Sequence, residues 1–257
     1  MSLTVIAICN QKAGTGKTTT AIRLGYALLE RGRRVLLVDL DPEGRLTAAC
    51  GVDPDELPLT IYDVLCGKSA MAEILRVEVL YEATGLDLAP ANIDLAAAEF
   101  ELVHTTYGEQ TLRNALEPLR KGYNYILIDC PSSLGLLTIN AMVASDHLLI
   151  PVECEYPALR GLGALLQTYV RVKRYNMKLS ILGILPYPNE MWSPHTREVL
   201  EKIKELYPNW VLEPIRRNTR FTESSDEWRR MLDYAGRMPE AEAYRRLAEM
   251  IDHARTG

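Results

Sequence analysis

The amino-acid sequence predicts an α/β fold, a doubly wound, mostly parallel twisted sheet with helices on both faces, in a single domain over residues 1–257. Three observations carry that reading. Runs of β-branched and aliphatic residues alternate with amphipathic helical patterns, the order that a parallel sheet requires. Two of those runs end in a carboxylate, at Asp39 and Asp129. A loop rich in Gly and Lys joins the first run to the first helical pattern, where sheets of this kind bind ligands at the C-terminal ends of their strands.

The first strand is read over residues 4–9 and the first helix over 18–30, with the loop Asn-Gln-Lys-Ala-Gly-Thr-Gly-Lys-Thr-Thr-Thr (10–20) between and into them. Small residues at Ala13, Gly14 and Gly16, with Thr15 between the glycines, let backbone N–H groups close around phosphate oxygens at a helix N-terminus. Lys17 then reaches the β- and γ-phosphates, Thr18 offers its hydroxyl to a Mg²⁺ shell, and Thr19 is placed for an α-phosphate oxygen. The general pattern G-x-x-x-x-G-K-[ST] wants Gly at position 11, where this chain has Gln11 followed by Lys12.

That second lysine fits the variant K-G-G-x-G-K-[ST]-[ST], and here the chain resembles the ParA/MinD family of P-loop ATPases, closest to its ParA/Soj-type partition ATPases. Ala13 stands where the family has its first Gly, a change compatible with a negative φ. The resemblance implies ATP and Mg²⁺ as cofactors, slow partner-stimulated hydrolysis, and a homodimer with two ATP molecules sandwiched between subunits. In it Lys12 reaches across to the partner's phosphates, and Lys12, Lys17 and Asp41 form the catalytic set.

Gly32 caps the first helix, and residues 34–39 read as a buried strand leading to Leu-Asp-Pro-Glu-Gly (40–44). A strand-end carboxylate beside a phosphate loop is placed to act on Mg²⁺ or on the attacking water; capping of the next helix is the structural alternative. The resemblance assigns the water to Asp41 and support of the metal to Asp39, and it places Glu43 where relatives have Gln. Residues 46–120 read as short helices and weak strands: 60–65 behind a Thr cap, a strand at 86–89 stopped by Pro90, and helices at 92–103 and 111–119. No chemistry is evident there, and His104 reads as a surface or packing residue.

Residues 125–129 form the next strand, and its Asp129 is placed to hold a Mg²⁺-bound water; metal contacts are thus Thr18, Asp39 and Asp129. Ser132 stands where the family has a second Pro. The stretch Pro-Val-Glu-Cys-Glu-Tyr-Pro-Ala-Leu-Arg-Gly-Leu (151–162) resembles the family's P-V-Q-x-E-Y-Y-A-L-E-G-L, with Glu153 for Gln, Pro157 for an aromatic and Arg160 for Glu. A helix over 158–175, a strand over 179–185, a helix over 194–206 and a short strand over 211–215 follow. Arg216-Arg217-Asn218-Thr219-Arg220 is similar to a family turn that lies against adenine, which implies base contact by Arg217 and Asn218. The continuation, Glu223 to Arg230, departs from the family. The closing helix, over 241–254, reads as packed and amphipathic, its acidic residues diluting any membrane-anchor pattern.

The net charge of −5 conceals an asymmetry: residues 1–159 carry 12 Lys and Arg against 21 Asp and Glu, and 160–257 carry 17 against 13. That polarity suits either a DNA face or a solvated surface. Candidate phosphate contacts are Lys173, Arg174, Arg217, Arg220, Arg229 and Arg230, while Trp192 occupies a place where relatives carry Arg. The five cysteines show no metal spacing and read as buried thiols. No run reaches the about 18 apolar residues of a membrane span, and Met-Ser-Leu leads straight into the first strand, so a soluble protein without a signal peptide is expected.

The leading expectation is therefore a cytoplasmic, nucleoid-associated partition ATPase that dimerises on ATP. It binds DNA non-specifically and is released when a ParB-like or other adaptor stimulates hydrolysis. A MinD-like or microcompartment-positioning ATPase with a different adaptor is the alternative, and a metabolic ligase or reductase of the same superfamily is a third class. No stable membrane association is expected.

Overall fold

The structure, a computed structural model, describes residues 3–76, 85–187, 193–215 and 239–256. Six strands, β1 (Thr4–Ile8), β2 (Val35–Asp39), β3 (Leu86–Ala89), β4 (Tyr125–Asp129), β5 (His147–Glu153) and β6 (Ser180–Tyr187), form one sheet in the order β3-β2-β4-β1-β5-β6. Every neighbouring pair is parallel, as the alternation of strand and helix patterns predicts.

The strands are apolar throughout because both faces are covered. Val5, Ala7 and Cys9 point into one core layer and Ile6 and Ile8 into the other, the two-residue period of a strand. The first layer is closed by α3 (Ile61–Leu65), α4 (Met71–Ile74), α5 (Leu95–Val103), α6 (Thr111–Leu116), α7 (Leu136–Ala144), α8 (Tyr156–Val172) and α9 (Pro194–Leu206). The second is closed by α1 (Lys17–Glu30), α2 (Arg45–Ala49) and α10 (Pro239–Thr256). Helix α10 is pinned to the sheet through Asp252, which accepts from Arg31, Arg33 and the Tyr125 hydroxyl.

Local chemistry accounts for several boundaries. Thr60 caps α3, its hydroxyl accepting from Tyr62 N–H while Asp63 accepts from Thr60 N–H. The helix expected over 92–103 begins at Leu95, because Asn92 Oδ1 accepts from Asp94 N–H and holds residues 92–94 in a turn. The helix expected over 111–119 tightens to 3₁₀ geometry at Glu117–Leu119, where Pro118 has no N–H to donate.

The short strand expected over 211–215 is a single bridge, Val211 to Ile184. Its backbone still follows β6, with Leu212 N–H donating to Ile184 O and Ile215 N–H to Pro186 O, but Pro214 interrupts the ladder. Strand β5 goes unread in the sequence; its Pro151 lies past Leu149, the last residue of β5 paired with β1. Cys9, Cys50, Cys130 and Cys154 are buried and Cys66 half-buried, all as free thiols. Among the described residues no helix is long and apolar enough to cross a membrane.

Candidate functional site

The ends of β1, β2, β4 and β5 meet at one edge of the sheet, and the expected phosphate loop lies there between β1 and α1. Asn10 anchors it: its amide donates to Pro151 O at the end of β5 and its Oδ1 accepts from Lys12 N–H at 3.0 Å. The Thr15 hydroxyl donates to Lys12 O across the turn. Left-handed φ values of 74° at Gly14 and 85° at Gly16 let the chain curl into the first turn of α1. Ala13 is not among the residues with positive φ, so the methyl group that replaces the family's first Gly meets no backbone penalty.

Lys17 is 7 % exposed and its ammonium donates to Ser132 Oγ at 2.8 Å and to Lys12 O. The Thr18 hydroxyl donates to Asp129 Oδ2 at 2.6 Å, which ties the loop to the end of β4. Thr19 is half-buried in the same helical turn. The remaining expected residue of the loop, Lys12, is turned toward its own chain, where its ammonium donates to Glu153 at 2.6 Å and Glu155 at 2.7 Å. Partial burial works to lower the pKa of Lys12, but the hydrogen bonds and charges of the two carboxylates outweigh it and raise it above the ordinary value.

Asp39 organises the second loop. Its Oδ2 accepts from both N–H and hydroxyl of Thr47, and its Oδ1 from Asp41 N–H at 3.2 Å. Burial pushes Asp39 up to about 6 against those hydrogen bonds. Asp41 is only partly buried, accepts from Glu43 N–H, and is itself raised, chiefly by burial. Asp129 is raised to about 8 by burial and by the charge of Asp39.

These residues fit a hydrated magnesium ion. Asp129 Oδ1 is buried without a hydrogen-bond partner, an expensive arrangement unless another group satisfies it. Among the described residues no group of three His, Cys, Asp or Glu side chains could hold a metal by itself. Mg²⁺ keeps several waters and takes one or two protein ligands together with phosphates, a demand that Thr18 and Asp129 can meet.

The sheet therefore gathers Lys12, Lys17, Thr18, Asp39, Asp41 and Asp129 around one loop. Lys173 and Arg174 fall elsewhere: α8 starts at this edge and carries them about 25 Å away to the opposite one, where the Lys173 ammonium donates to Leu179 O. Trp192, Arg216, Arg217, Asn218, Arg220, Arg229 and Arg230 lie outside the described residues. His104 is exposed. Sequence reasoning assigned no role to Asn10, Thr47, Ser132, Glu153 or Glu155. Ser132 and Glu153 already stood out as departures from the family pattern, and each touches one of the two loop lysines.

Comparison with known proteins gives the family and the fold. A family model described as an AAA domain matches residues 3–181. The sporulation initiation inhibitor protein Soj of Bacillus subtilis is 41% identical over 249 residues, covering 96% of this chain and 97% of that protein. The chromosome partitioning protein ParA of Caulobacter vibrioides is 40% identical over 253 residues, covering 97% and 94%. A Mycobacterium smegmatis structure described as cobyrinic acid a,c-diamide synthase superposes with a TM-score of 0.84 at 38% identity, covering 97% of this chain and 93% of that one. The same protein has been solved with ADP and magnesium (TM-score 0.78, 40% identity, covering 92% and 95%). With an ATP analog and magnesium the TM-score is 0.78 at 39% identity, covering 91% and 95%.

Proposed function

The chain belongs to the ParA/Soj family of P-loop ATPases, and on that premise we propose that it is a partition or positioning ATPase that dimerises on ATP, binds DNA non-specifically in that state and releases it on hydrolysis. The observation that carries the proposal is one loop holding two lysines, with Thr18, the strand-end Asp39 and Asp129, and the loop residue Asp41 gathered beside it.

ATP lies with its phosphates in the cradle of Lys12 to Thr19. Lys17 sits beneath them, able to exchange Ser132 Oγ for a β- or γ-phosphate oxygen. Thr18 and Asp129, supported by Asp39, would hold a hydrated Mg²⁺, which would supply positive charge to offset that of the phosphates. Asp41, on a loop fixed through Asp39 and Thr47, orients the water for in-line attack. Lys12 reaches the phosphates of a second copy, so the nucleotide cements the dimer and its hydrolysis releases it. Arg217 and Asn218 lie against adenine. A ParB-like or other adaptor accelerates hydrolysis, and the ATP dimer associates with the nucleoid of the cytoplasm through basic side chains and DNA phosphates, an attraction that salt weakens steeply.

Light scattering with a non-hydrolysable ATP analogue and Mg²⁺ tests the dimer: the wild type doubles its mass, and Lys12→Ala binds nucleotide but stays monomeric. A Lys12→Ala dimer of normal stability overturns the role of Lys12. A DNA mobility shift present with ATP, absent with ADP and lost on raising salt supports the switch, whereas one indifferent to nucleotide refutes it. Cosedimentation with liposomes in place of DNA would favour the MinD-like alternative. A second reading, amidation of a carboxylic acid substrate, is favoured by the name of the M. smegmatis structure; it requires ATP-dependent mass loss of 1 Da per amidated carboxyl group, detectable by mass spectrometry with cobyrinic acid and glutamine.

A further inference from the structure

Lys12 has an unusual setting for a residue expected to act on another molecule. The β1–β5 pairing, which ends at Ile8 and Leu149, brings the loop after β1 beside the end of β5. Asn10 binds Pro151 O there, and two residues on each side the Lys12 ammonium meets Glu153 Oε2 at 2.6 Å and Glu155 Oε2 at 2.7 Å. Glu155 N–H donates to Glu153 O, a tight turn that puts both carboxylates on the same side of the chain. Two carboxylates surround one ammonium, so the cluster carries a net negative charge at the mouth of a site built for phosphate.

The two carboxylates differ. Glu153 is the last residue of β5, in register with Tyr187 of β6, and its side chain is 18% exposed; Glu155 lies beyond the strand and is 38% exposed. The strand-held carboxylate has less freedom to follow the lysine away, and the less solvated contact is the stronger one. Glu153 also stands where the ParA pattern has Gln, an amide that carries no charge.

We propose that Glu153 is a positioning residue for Lys12: it holds the ammonium within its own chain in the nucleotide-free protomer and thereby sets the nucleotide concentration at which Lys12 transfers to the phosphates of a second copy. The proposal rests on the role of Lys12 across the dimer given above. Transfer requires both carboxylate contacts to break, and the two freed acids then repel incoming phosphate. A single copy is in this way kept from dimerising at low nucleotide, while a charged triphosphate supplied by a second copy competes for the same ammonium. The elevated pKa of Lys12 agrees with an ammonium stabilised by its own chain.

Glu153→Gln, Glu153→Asp and Lys12→Ala are compared in two measurements. In the nucleotide-free protein, reductive methylation by formaldehyde with mass spectrometry reads the reactivity of the Lys12 amine. Glu153→Gln should methylate Lys12 roughly three- to tenfold faster than the wild type, other lysines being unchanged, and Glu153→Asp should restore slow labelling. In light scattering against a non-hydrolysable ATP analogue, Glu153→Gln should reach half-dimerisation at roughly three- to tenfold lower nucleotide, with Glu153→Asp near the wild type. Unchanged labelling and an unchanged midpoint in Glu153→Gln, with dimerisation lost in Lys12→Ala, would overturn the proposal while leaving the role of Lys12 intact. A Lys12→Ala protein that dimerises normally would overturn that role and this proposal with it.

Discussion

Asp39 and Asp129 are register partners at the ends of two hydrogen-bonded parallel strands, and both side chains are sealed from solvent. Lost hydration raises both above the ordinary carboxylate range; the charge of Asp39 adds to the rise at Asp129, and that of Asp41 to the rise at Asp39. Asp39 is compensated by Thr47 and by the Asp41 backbone, whereas Asp129 has Thr18 on one oxygen and nothing on the other. Burying the pair therefore costs stability, most at Asp129.

Asp129, raised to about 8, must hold a proton to stay buried at pH 7, and replacing it by Asn keeps the shape without that cost. At pH 7 the nucleotide-free variant should gain about 1–3 kcal/mol of unfolding free energy, but adding Mg²⁺ with nucleotide should no longer raise its melting temperature. Differential scanning fluorimetry with and without Mg²⁺-nucleotide measures both. A variant still stabilised by Mg²⁺-nucleotide as strongly as the wild type would remove Asp129 from the metal site.

Asp41 is held near the cradle by a backbone N–H on its side chain yet is neither fully buried nor bound to Thr18. Asp41→Ala should therefore leave nucleotide binding in place and slow phosphate release about a hundredfold or more, so that the ATP dimer persists. Phosphate release and light scattering over time give the answer. Turnover equal to the wild type would dismiss Asp41 as the residue that orients water.

Asp252 binds α10 to the sheet. The hydrogen bond from Arg33, helped by the Tyr125 hydroxyl and Arg31, holds its carboxyl at about 2, below the about 4 of an unfolded chain. A lowered folded-state value contributes stability above the unfolded value, and that contribution is lost as pH falls from about 4 through about 2. Asp252→Asn should lower unfolding free energy by about 2 kcal/mol at pH 7 and at pH 5, with a smaller difference at pH 3. Urea unfolding at the three pH values checks this; a gap of constant size would show that charge is not its source.

Much of the fold was legible because its signals are local. Strands β1, β2 and β4 are unbroken apolar runs, and α3 and α9 open on the capping residues Thr60 and Ser193. The lysine pair and the strand-end acids were legible for the same reason, since each sits at a fixed offset from a turn. Local breaks were harder where a proline acts through geometry: Pro118 shortened a helix and Pro214 reduced a strand to a bridge.

By itself the sequence determined a parallel α/β sheet, a phosphate loop at its first turn, and the residue types that loop needs, because backbone preferences and side-chain periods act over a few residues. Only the tertiary structure decided what those residues touch. Lys17 meets Ser132 across 115 residues, Lys12 meets Glu153 across 141, and Arg33 meets Asp252 across 219. Such pairings follow from the strand order β3-β2-β4-β1-β5-β6, which puts β1 between β4 and β5. That order is selected by burying both sheet faces at once, a property of the whole chain that no local stretch encodes.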